Sequence, residues 1–114
     1  MGYTVVFDFD GVIHSYKSGW KGVTEILDPP VLGIKEAIDK IREKFNVVVV
    51  STRCISPEGI KAIKSWLNKY NIVVDDITAE KPPAVCYIDD RAICFDGNAA
   101  TLPDLVENFK VWWE

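Results

Sequence analysis

Residues 4–14 read TVVFDFDGVIH, from Thr4 to His14. An apolar, β-branched run ends in Asp8, a second carboxylate, Asp10, follows one residue later, and Gly11 comes straight after. A short continuous run of this kind reads as a strand buried on both faces, so Tyr3 to Phe7 is expected inside a parallel sheet. Two like charges at its end repel one another and resist desolvation. Either they face water, or something positive belongs between them.

Working outward, strand-like and helix-like patterns alternate. Gly11 to Gly33 holds four glycines and two prolines, which predicts a long loop with a small hairpin around Ser18-Gly19. Loops of that length are usually functional. Ile34, Ala37, Ile38, Ile41 and Phe45 fall at helical spacing and predict a helix over Ile34 to Lys44. Val47 to Val50 is a second buried strand. Ser56-Pro57-Glu58 is a helix start, with serine as N-cap and proline at the first position. Ile60, Ile63, Trp66, Leu67 and Tyr70 give that helix its apolar face. Further strands are predicted at Ile72 to Val74, Val85 to Ile88 and Ala92 to Phe95. Thr101 is expected to cap a last helix that buries Leu102, Leu105, Val106, Phe109 and Trp113. The alternation predicts one α/β domain over residues 1–114, a Rossmann-like three-layer sandwich around a mostly parallel sheet.

In such sheets ligands bind at the carboxyl ends of the strands. The predicted strands end in Asp8-Phe9-Asp10, in Ser51-Thr52-Arg53 and in Asp89-Asp90, and Lys81 precedes the last of these. One sheet edge would therefore gather several carboxylates, a hydroxyl and an ammonium. Carboxylates so close do not all ionise without a compensating cation. Hard oxygen ligands with open positions suit Mg²⁺ together with a substrate phosphate. A carboxylate can also attack phosphorus.

DFDGVIH (8–14), VVVVSTR (47–53), EKPPA (80–84) and YIDDRA (87–92) together resemble, in order, the four motifs of the haloacid dehalogenase (HAD) superfamily. The resemblance spans residues 5 to 91. It implies a Mg²⁺-dependent phosphomonoester hydrolase working through an aspartyl-phosphate. Asp8 would be the nucleophile and a metal ligand. Asp10 would be the general acid/base, with its backbone carbonyl on the metal. Ser51 would bind phosphate, with Thr52 its competitor for that role, and Lys81 would offset charge on the nucleophile and phosphoryl group. Asp89 and Asp90 would complete the metal site, one directly and one through water or an indirect contact. An aspartate two residues after the nucleophile is what phosphatases of this family carry. Only 40 residues separate Asp10 from Ser51, too few for a folded cap domain, so the resemblance implies a capless member with a short flap at about 12–22.

Other polar residues keep two readings. Arg53 and Arg91 can meet a substrate anion, but an ion pair with a neighbouring carboxylate is the plainer expectation. His14, the only histidine, is either structural or in contact with substrate from the flap. Tyr16, Lys17 and Trp20 either stack on a nucleotide-like substrate or pack on the domain's own surface. Cys54 reads as a bystander thiol. Trp112 and Trp113 either close the core or form a subunit contact.

The remaining composition narrows the classes. A net charge of −4 argues against a non-specific binder of long nucleic acid, although a locally positive site remains compatible with a nucleotide. Three cysteines without CxxC spacing argue against a disulfide framework and a zinc site, and point to reduced thiols in the cytoplasm. No leader-like or membrane-spanning run is expected. The substrate is either a nucleotide or small phosphometabolite, or a large phosphorylated partner, unless a homo-oligomer covers the open site. The competing functions are a phospho-accepting receiver-like domain and a non-catalytic metal-binding module. Receivers carry their acidic pair after the first strand and the phosphorylated aspartate after the third, an order absent here. A DxD glycosyltransferase needs a larger fold than 114 residues readily supply.

Overall fold

A computed structural model describes residues 2–114. Four strands, β1 (Thr4–Asp8), β2 (Asn46–Val50), β3 (Asp76–Thr78) and β4 (Cys86–Ile88), form one all-parallel sheet in the order β3-β2-β1-β4. Three helices accompany them: α1 (Ile34–Ile41), α2 (Pro57–Lys69) and α3 (Leu102–Glu107). The small parallel α/β fold expected from the alternation is thus present.

The order of strands explains where the core lies. The chain steps from β1 to β2 to β3 in one direction, and right-handed crossovers then put α1 and α2 on the same face. Val5 and Phe7 of β1 and Val47 and Val49 of β2 supply that face, and Ile38, Ile63, Trp66 and Leu67 join them in one buried cluster. The opposite face carries Val6 and Val48, buried but outside the cluster. No residue of α3 is buried, and Leu105, Val106 and Phe109 stay exposed. The three-layer sandwich is therefore corrected to helices packed on one face, because the short turn of α3 does not dock on the other.

Local chemistry fixes the elements. Ser56 accepts a hydrogen bond from the Gly59 amide (3.0 Å), with Pro57 in the first turn, as its sequence anticipates. At the far end Asn71 takes a left-handed φ of 56°. The Ile72 amide bonds the Leu67 carbonyl and the Asn71 amide that of Asn68, closing a Schellman motif. Ile72 is consumed by that motif and by the core, so the predicted strand at Ile72 to Val74 moves to Asp76–Thr78. Helix α1 ends at Ile41 rather than Lys44, and the Arg42 side chain turns to Asp75 at 3.0 and 3.2 Å. The stretch Ala92 to Phe95 forms no strand, and Asn98, not Thr101, caps the last helical segment through the Ala100 amide.

Residues 11–33 are no loose flap. The Phe9 carbonyl accepts from the amides of Val12, Ile13 and His14, while Ser15 and Val31 bond across to Pro29 and Ile13. Ile13, His14, Ser15 and Tyr16 are buried, so the expected flap over 12–22 has its first half built into the domain. Among the described residues no helix is long and apolar enough to cross a membrane.

Candidate functional site

The chain changes direction at β1, which has β2 on one side and β4 on the other. The carboxyl end of β1 is thus a switch point of the sheet, the place where parallel α/β folds open a crevice. A cavity of about 320 Å³ lies there, lined by Asp8, Asp10, Tyr16, Ser51, Thr52, Asp89, Asp90 and Arg91. Asp8 ends β1, Ser51 and Thr52 follow β2, and Asp89 and Asp90 follow β4. Three separate strand ends deliver these side chains to one place, as the sequence reading anticipated for these residues.

Asp8, Asp89 and Asp90 each present a carboxylate oxygen, all within 4.8 Å of one another. Burial, a hydrogen bond to Asp90 and the charges of Asp89 and Asp90 push the Asp8 carboxyl up to about 8, against an opposing bond from the Phe9 amide. Such a rise reflects burial first and the neighbouring carboxylates second, with no cation among the described residues close enough to offset them. The donor set, three oxygens and no nitrogen or sulfur, fits a hard divalent cation. Asp89 also accepts the Arg91 amide at 2.9 Å, which fixes the turn after β4.

Asp10 lines the same cavity, but its carboxylate is engaged on another side. Arg53 Nε and Nη2 donate to its two oxygens at 2.9 and 3.1 Å, and His14 Nδ1 bonds Oδ1 at 2.8 Å. Burial works to raise the Asp10 carboxyl, yet the bonds from His14 and Arg53 outweigh it and hold it below the usual range. His14 Nε2 accepts the Asp28 amide at 3.1 Å, which leaves Nδ1 as the nitrogen that donates to Asp10. Arg53 is fully buried, binds the Gly22 and Val23 carbonyls and lies over the Trp20 ring at 4.5 Å. Arg53 forms the carboxylate ion pair that is the plainer expectation for it, and His14 takes the structural one of its two readings. Neither faces the phosphate position, because their side-chain nitrogens are engaged by the Asp10 carboxylate and by Gly22, Val23 and Asp28.

Ser51 Oγ accepts the Arg53 amide at 3.1 Å and so caps a 3-10 turn, Thr52–Ile55, leaving its own proton for the cavity. Thr52 lines the cavity beside it. Lys81 is offset: it shares a cleft of about 20 Å³ with Asp8 and Asp89, and its ammonium lies 5.1 Å from the Tyr87 ring. Arg91 is the cation that lines the cavity itself.

The C-terminal tryptophans also reach the site. Trp113 donates its indole N–H to Asp90 Oδ2 at 2.6 Å, and Trp112 donates to the Gly11 carbonyl at 2.7 Å. Tyr16, with φ 61°, crosses the Trp113 ring almost at right angles, their centroids 5.0 Å apart. Nothing in the spacing of two adjacent tryptophans announces such partners. No family model, curated protein or solved structure matches this chain.

Proposed function

We propose that this protein is a Mg²⁺-dependent phosphomonoester hydrolase that uses Asp8 as nucleophile. The observation that carries the reading is the convergence of Asp8, Asp89 and Asp90 within 4.8 Å, beside the hydroxyls of Ser51 and Thr52 in one cavity. The ordered resemblance to HAD motifs supports the same chemistry. A phosphate dianion cannot approach three carboxylates unaided, and a divalent cation held by Asp8, Asp89 and Asp90 would offset the repulsion and polarise the phosphoryl oxygens.

An Asp8 carboxylate oxygen forms a bond to phosphorus as the bond to the leaving oxygen breaks, and the departing alkoxide takes up a proton from solvent water at the open mouth of the site. Water then attacks the same phosphorus, the Asp8 oxygen–phosphorus bond breaks, and inorganic phosphate leaves. Ser51 and Thr52 hydroxyls orient phosphoryl oxygens, and Arg91 meets charge at the cavity wall. Asp10 in this geometry anchors Arg53 and His14. It serves as proton donor only if its carboxyl releases one of them. Lys81 acts on Asp8 and Asp89 from the far side of the sheet. Substrates are a nucleotide or small phosphometabolite, or a large phosphorylated partner admitted by the absence of a cap.

The test is hydrolysis with Mg²⁺ of nucleotides, sugar phosphates, phosphopeptides and 3′-phosphorylated oligonucleotides. Asp8→Asn is expected to lower turnover by at least about a thousandfold. Full activity in a clean Asp8→Asn preparation would sink the assignment.

A receiver-like phospho-acceptor is the second reading, since it too uses clustered aspartates on a parallel sheet. Stable phosphorylation of Asp8 without turnover would favour it.

A further inference from the structure

The geometry points to Trp113 as a positioning residue that aims Asp90 at the cation, through an indole hydrogen bond to one carboxylate oxygen. This inference rests on the reading of Asp8, Asp89 and Asp90 as cation ligands.

Asp90 sits beside two other carboxylates and is only partly buried, so repulsion favours swinging its side chain out to water. The Trp113 N–H, 2.6 Å from Oδ2, holds it in place. Oδ2 also faces Gly11: a Cβ at that glycine would fall on Asp90 Oδ2 and lie 2.7 Å from Trp113 Nε1. Gly11 takes φ 83°, so both its conformation and its missing side chain make room for the Asp90–Trp113 pair. The carboxylate cannot swing away from the cluster without breaking the bond from the indole to Oδ2. Two groups hold the indole: the Tyr16 ring crosses it almost at right angles with centroids 5.0 Å apart, and Arg91 lies over it 5.9 Å from its centroid. The neighbouring Trp112 ties this stretch of chain to the Gly11 carbonyl. A donor of fixed orientation behind a metal-binding carboxylate is the arrangement by which outer contacts tune affinity.

The experiment is Mn²⁺ and Mg²⁺ titration of the full chain by calorimetry, comparing the native protein with Trp113→Phe and Trp112→Phe. Phenylalanine at 113 keeps a ring against Tyr16 and Arg91 and deletes the N–H. Trp113→Phe is expected to weaken cation binding by about 10-fold or more, and Trp112→Phe by clearly less. Binding by Trp113→Phe within twofold of native overturns the inference, as does an equal loss in both variants, which would mean tail docking alone. A native protein that binds neither cation removes the cation reading of the site and the inference with it, so the two failures are distinguishable. Should Trp113→Phe fail to fold, the native protein decides. The Trp113 indole resonance in a ¹⁵N–¹H spectrum must shift on adding Mg²⁺ while that of Trp20 stays, and an unmoved Trp113 signal overturns the inference.

Discussion

Arg53 holds the interior of the loop together from a position the sequence places beside the candidate phosphate site. Its guanidinium is fully buried and its partners are the Asp10 carboxylate, two loop carbonyls and the Trp20 ring. Removing one member of a buried ion pair leaves the other uncompensated, so Arg53→Ala is expected to cost about 3–5 kcal/mol in urea unfolding. A cost below about 1 kcal/mol, the level of an exposed pair, would show the contact to be dispensable. At this scale the sequence was informative where a side chain's place follows from its strand end. Asp8, Ser51, Asp89 and Asp90 are such residues. It named an ion pair for Arg53 without its partner, because the path of residues 11–33 decides which way His14, Arg53 and Asp10 turn. Polarity marks these three as notable, and only the folded loop assigns them to each other.

Among the elements, α2 is the best specified and shows where local preference yields to packing. Serine cap, first-turn proline and the 3.6-residue apolar spacing all agree, and the helix forms where they predict. Gly59 stands in its first turn, where alanine would ordinarily favour a helix by about 0.5–1 kcal/mol. A Cβ there would run into the Arg53 carbonyl oxygen. Gly59→Ala is therefore expected to destabilise the protein, reversing the sign of helix propensity. Thermal melting checks this, and a higher midpoint for the variant would contradict the close approach of α2 to the 3-10 turn. β3 teaches the complement. Three apolar residues, Ile72 to Val74, look more like a strand than Asp76-Ile77-Thr78 does. The strand nonetheless forms at the latter because the helix end claims Ile72, and Asp75 is fixed by Arg42 and by the β2 amide of Val47 at 2.8 Å. Strand boundaries set by a helix cap and a hydrogen-bonded surface carboxylate leave no periodic trace.

The molecule as a whole concentrates opposed titrations at one sheet edge. Asp10 titrates below its unfolded range, so its contribution is present above the unfolded value and lost as pH falls through the folded one. Asp8 runs the other way. Raised from 3.8 to about 8, it favours the protonated native state, and that contribution is lost as pH rises across this interval. Chelator-treated protein should thus lose thermal stability between about pH 4 and 8, with Asp8→Asn flattening that slope. Mg²⁺ should raise the midpoint more at pH 8 than at pH 5, because at the lower pH a proton competes for Asp8. Melts at each pH with and without Mg²⁺ measure both effects, and a pH-independent midpoint would contradict the crowding of charge. The parallel α/β class was legible from the alternation of patterns. The second face without a docked helix was not, because it depends on α3 failing to pack there. The central place of β1 also bears on synthesis. β1 is made before β2 and β4, which flank it, and Val5 pairs with both Val47 and Cys86. One edge of β1 stays unpaired until β4 has emerged. Such non-local pairing makes for slow folding, and the waiting edge is open to any other strand that meets it first.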